Sequence, residues 1–141
     1  MKKTLLSLFL AFVLVFSCTT IGFAAVPDEE VVQPYATSSI GIGVDRVSGT
    51  TASTSVDCNF ATSVDSYTIT VYLQKLSNNN WVNDTANEDY VTRVTGSNAY
   101  ERSFSKIYDD LTYGTSYRLK VTSKTVYAGT TYTKSAYSAT F

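Results

Sequence analysis

The side chains able to do chemistry in this 141-residue chain are few, and the first constraint is an absence. It contains no histidine. The commonest general base, the usual imidazole metal ligand and every Ser–His or Cys–His nucleophile pair are therefore missing. Neither a Gly-rich phosphate loop nor a cysteine-pair zinc pattern occurs. Five carboxylates remain as candidates: Asp84, Glu88, Asp89, Asp109 and Asp110. Two carboxylates suffice for glycoside hydrolysis, and clustered ones can take Ca²⁺. These five nevertheless sit in Asn- and Thr-rich stretches with the composition of loops, where the expectation is solvated charge and turn capping. The chain is accordingly read as non-catalytic, without cofactor or metal, with a carboxylate-dependent hydrolase as the remote alternative.

Binding chemistry is better supplied. Aromatic rings stack on sugars, and Lys and Arg pair with phosphate or carboxylate. Tyr72, Trp81, Lys120, Lys124, Tyr132 and Lys134 are the candidates for such a surface. They can act together only if strands bring them to one face.

Period-two alternation supplies those strands. Ile40, Ile42 and Val44 alternate with Gly41, Gly43 and Asp45, and Ala52, Thr54, Val56, Cys58 and Phe60 alternate with small polar residues. Tyr67, Ile69, Val71 and Leu73 form a third series. Such patterns put one set in a core and the other in solvent, and the β-branched and aromatic content agrees. Turn residues separate the runs at 77–80, 96–98, 109–110 and 128–130. Several short strands without a helical period argue for an antiparallel sandwich or barrel, and the expected fold is a sandwich of about seven strands. In that arrangement the 40–44, 52–60 and 99–104 runs share a sheet, and the Tyr67 run pairs with the last two. Tyr72, Gln74, Arg118, Lys120, Thr122 and Lys124 then point outward. Tyr132 and Lys134 join them provided that Tyr137, Ala139 and Phe141 point inward, with Trp81 flanking.

The most specific segment runs from Leu111 to Val121. Leu111 lies six residues before Tyr117, which opens an alternating strand through Leu119 and Val121. A tyrosine there can drop its ring into the core while its hydroxyl bonds back to the upstream turn. On Leu111, Thr115 and Tyr117 the chain resembles the fibronectin type III family, with Tyr113 in place of the corner proline; Tyr67–Val71 is similar to that family's strand C. The tryptophan usual near the end of strand B is absent, and Cys58 and Phe60 occupy that region. The resemblance implies an immunoglobulin-like sandwich and structural roles for Leu111 and Tyr117.

The start of the chain sets its compartment. Lys2 and Lys3 precede an apolar run from Leu5 to Phe16, and Gly22, Ala24 and Ala25 supply small residues before an acidic stretch. This is the layout of a secretory signal peptide, over residues 1–25 with cleavage after Ala24 or Ala25. The expected organisation continues with a flexible acidic linker over 26–37 and the sandwich over 38–141. Cleavage after Ala24 leaves 117 residues with a net charge of −3, which gives no reason to expect nucleic acid or a membrane surface as partner. It also leaves Cys58 as the lone cysteine, without an internal disulfide and read as a buried small hydrophobe. The layout resembles small secreted proteins of Gram-positive bacteria. The expected role is thus a secreted or wall-associated protein binding a surface glycan, anionic wall polymer or protein. Lipidation at Cys18 is a minor alternative. An outer-membrane barrel is another, suggested by the aromatic C-terminus and opposed by the Ser/Thr/Asp-rich outward sets.

Overall fold

The computed structural model describes residues 36–141. The expected signal peptide over 1–25, with Cys18, and residues 26–35 of the acidic stretch lie outside the described residues. Six strands follow: β1 (Thr37–Arg46), β2 (Ala52–Ser77), β3 (Asn80–Asn83), β4 (Val91–Tyr108), β5 (Tyr117–Tyr127) and β6 (Thr130–Tyr137). All pairings are antiparallel, and they build one curled sheet.

The count is six because two turn-like segments bend a strand instead of ending it. β2 pairs with β1 through Ala52–Phe60 and with β5 through Ser66–Lys75. Between the pairs Asn59–Glu101 and Val64–Ala99, β2 has four intervening residues and β4 has one. Past this irregularity, between Val64 and Tyr67, the buried set of β2 changes from even positions (Val56, Cys58, Phe60, Val64) to odd ones (Tyr67, Ile69, Val71, Leu73). On the partner strand Asn98 takes φ +51°, and β4 runs through the expected turn at 96–98 as a bend. Gly96 is needed there, because any Cβ would collide with the Tyr67 ring. The 26–37 linker also ends early. Ala36 and Thr37 are buried, and the Thr37 hydroxyl meets that of Ser123 at 3.0 Å, tying β1 to β5.

The concave side of the curl holds the core: Val56, Cys58, Phe60, Val64, Ile69, Val71, Leu73, Leu119 and Val121 are all buried, with Ile40, Ile42 and Val44 packed against them. Burial of each large apolar side chain contributes about 1.5–3 kcal/mol. Cys58 is free, and burial, aided by the Asp57 charge, pushes its thiol up to about 11. At the lower end Tyr117 is fully buried. Its hydroxyl accepts the Thr112 N–H at 3.0 Å, and its ring stacks on Phe141 at 6.2 Å. The Arg46 guanidinium lies 5.7 Å from the same ring and donates to the carbonyls of Gly49 (2.6 Å) and Thr115 (3.0 Å). Leu111 is buried, with its N–H on the Thr50 carbonyl at 2.9 Å. The corner therefore fastens the β1–β2 and β4–β5 connections together.

Candidate functional site

The convex side of β2, β5 and their neighbours carries the outward residues in rows set by the register. Asn83, Gln74 and Arg118 form one row; Val91, Tyr72, Lys120 and Tyr137 form the next. Arg93, Thr70, Thr122 and Ser135 follow, then Thr95, Thr68, Lys124 and Thr133. These rows hold four cations, Arg93, Arg118, Lys120 and Lys124, and no carboxylate. The ion pairs among the described residues lie elsewhere, at Lys75–Asp84 and Lys106–Asp89. A sheet face with one sign of charge and no internal neutralisation attracts counter-charge.

Arg118, in the first of these rows, is held by its neighbours. Its guanidinium lies against two rings, 4.5 Å from the Trp81 centroid and 4.3 Å from that of Tyr137. Planar guanidinium groups stack on aromatic faces through dispersion and cation–π attraction. The Arg118 Nε–H donates to Gln74 Oε1 at 3.0 Å, and Gln74 Nε2 donates in turn to Asn83 Oδ1 at 3.1 Å. Gln74 belongs to the outward set, yet is buried beneath this arrangement. With rings against its plane and its Nε tethered, Arg118 has no partner on its forked Nη end among the described residues, and such a fork suits a bidentate oxyanion. Beyond it Thr68, Thr70, Arg93, Thr95, Thr122, Lys124 and Thr133 line a shallow depression of about 480 Å³.

The structure divides the residues expected at such a surface. Tyr72, Trp81, Lys120 and Lys124 share the convex side. Tyr132 and Lys134 do not: Tyr132 is opposite Thr125 and packs on the core, and Lys134 reaches along the edge to the Ser38 carbonyl at 2.7 Å. Tyr137 takes the outward place instead and is 52% exposed, and Ala139 is exposed as well. The cause is one extra residue. Lys120 faces Tyr137, which extrapolates to Tyr117 facing position 140, but Tyr117 exchanges both backbone hydrogen bonds with Phe141. Tyr137 therefore faces out while Phe141, at the same sequence parity, faces in. Arg93 and Tyr137 were absent from the sequence-derived set; Arg93 was legible from its alternation with Thr92 and Val94.

The five loop carboxylates also come together. Asp84, Glu88, Asp89, Asp109 and Asp110 line one depression of about 380 Å³ with Lys75. Asp84 is 4% exposed, and its Oδ1 lies 2.8 Å from Lys75 Nζ, although off the direction of a well-formed hydrogen bond. The hydrogen-bonding reach and charge of Asp84 raise the Lys75 pKa, so this ammonium stays charged. Among the described residues no group of three His, Cys, Asp or Glu side chains is disposed to hold a metal ion. No family model, no curated protein and no solved structure matches this chain.

Proposed function

We propose that this chain is an exported, non-catalytic β-sandwich of immunoglobulin-like, fibronectin type III-like type that binds an anionic polymer of the cell surface on its cationic convex face. The leader pattern supports export, and the tyrosine corner at Tyr117 supports the sandwich type. One observation carries the binding role: Arg118 lies against the rings of Trp81 and Tyr137 with no partner on its fork among the described residues, on a face whose rows hold three further cations and no carboxylate. An arginine held in place by rings and an amide, with no carboxylate partner among the described residues, is preorganised, so a ligand contact loses less side-chain freedom there.

Co-sedimentation tests this reading. The mature protein, released by its own secretion signal, is mixed with purified cell walls before and after extraction of their anionic polymers. Binding is expected to the intact walls, to fall on extraction, and to be lost in the triple variant Arg118→Ala/Lys120→Ala/Lys124→Ala. Absence of binding by the parent protein, or equal binding by the triple variant, would overturn it.

A further inference from the structure

Resting on that reading of the convex face, we propose that the polymer is a linear chain of polyol units joined by phosphodiesters, laid along β5 with one phosphate on the fork of Arg118. Outward side chains on a strand recur at about 6.8 Å. Arg118, Lys120 and Lys124 therefore mark charges at the start of a track, about 7 Å along it and about 20 Å along it. Arg93 stands in the Thr122 row, beyond Thr70, two strand spacings or about 10 Å to the side. A small anion can reach at most the first of these positions with its neighbour, whereas a flexible chain with one charge per short repeat can reach all of them.

The groups between the cations narrow the chemistry. Thr68, Thr70, Thr95, Thr122 and Thr133 present hydroxyls to the same depression as Arg93 and Lys124, and the Thr122 and Ser135 hydroxyls already bond to each other at 3.0 Å. Hydroxyls of this kind donate to phosphate oxygens and exchange hydrogen bonds with polyol hydroxyls. Of the three rings on this face, the guanidinium of Arg118 already covers a face of Trp81 and a face of Tyr137, which leaves Tyr72 as the uncommitted ring. Pyranose-rich glycans and nucleic acids draw on free aromatic faces; a polyol phosphate needs the fork, the ammonium groups and the hydroxyls.

Calorimetry on the mature protein provides the test, with glycerol phosphate and its phosphodiester dimer, tetramer and octamer as probes. Oligogalacturonate and oligothymidylate of matched charge serve as competitors. Affinity is expected to rise at least tenfold from dimer to tetramer and then level off as the track fills. Arg118→Lys, which keeps the charge and loses the fork, should weaken every phosphodiester by about tenfold. Lys124→Gln should weaken the tetramer and octamer while leaving the dimer unchanged, and melting curves of both variants confirm that they fold. Length-independent affinity, or a competitor that binds as tightly as the phosphodiesters, would overturn the proposal. If walls are bound through Arg118, Lys120 and Lys124 but galacturonate or thymidylate wins, the binding role stands and the polymer assignment fails. If no anion binds, both fail.

Discussion

Replacing Tyr117 with phenylalanine tests the corner on which the curled sheet depends, because it removes one atom and leaves the packing in place. The ring would keep its stack on Phe141 at 6.2 Å and its contact with Arg46 at 5.7 Å. What disappears is the acceptor for the Thr112 N–H, a 3.0 Å bond. A typical intramolecular hydrogen bond contributes about 0.5–1.5 kcal/mol, and a buried donor left without a partner costs more. Thr112 is itself exposed, so water can replace part of the lost bond, and the expected cost is about 1 kcal/mol. For a domain of this size that lowers Tm by about 5 °C. Urea unfolding followed by tyrosine and tryptophan fluorescence reads the change as a lower midpoint at constant slope. Tyr113→Phe is the internal control: Tyr113 is 82% exposed, and loss of its hydroxyl should shift stability by less than about 0.5 kcal/mol. A Tyr117→Phe protein as stable as the parent, or a control equally destabilised, would refute the account of the corner.

Two further outcomes follow from backbone and burial. Ala128 and Gly129 join β5 to β6 with φ of +49° and +76°, a two-residue turn in which an L-residue with a Cβ is strained and asparagine is favoured. Ala128→Asn should therefore stabilise the protein by about 1 kcal/mol, visible as a raised melting temperature; an unchanged or lower one counts against the turn geometry. Burial pushes the Cys58 thiol from 9.0 up to about 11 and the Tyr108 phenol from 10.0 up to about 12. Both groups are neutral when protonated, so the folded state retains protons that the unfolded state releases at lower pH. Their effect on stability is fully favourable below pH 9 and is lost as pH rises through 11 and then 12. Cys58 should remove about 3 kcal/mol by the end of its range. Denaturant titrations from pH 8 to 11 should show that decline, and Cys58→Ala should flatten it; a flat profile in the parent would contradict the burial argument.

Much of the strand layout could be read from alternation, since a residue's side of a strand depends only on parity while the strand stays regular. The core series Val56–Cys58–Phe60, Ile69–Val71–Leu73 and Tyr117–Leu119–Val121 are buried where alternation places them, and Leu111 is buried six residues before Tyr117. Legibility ended wherever a local irregularity reset the parity. With the extra residue between Tyr137 and Phe141, Tyr132 packs on the core, Lys134 lies along the edge and Tyr137 faces outward, and nothing in Ser138-Ala139-Thr140 marks it as a bulge. At 96–98, Gly-Ser-Asn has the composition of a turn, but β4 runs on through it, with Gly96 against the Tyr67 ring and Asn98 at positive φ.

The amino-acid order alone determined the all-β class, the absence of histidine chemistry and the inward residues of each regular strand, because these depend on side-chain type and a two-residue period. Tertiary structure alone decided that the cations of β4 and β5 share a face free of carboxylates, and that Trp81, Gln74 and Tyr137, from three different strands, converge on Arg118. Such convergence is set by inter-strand register, and register arises from pairing between residues far apart in the chain, which no local pattern encodes.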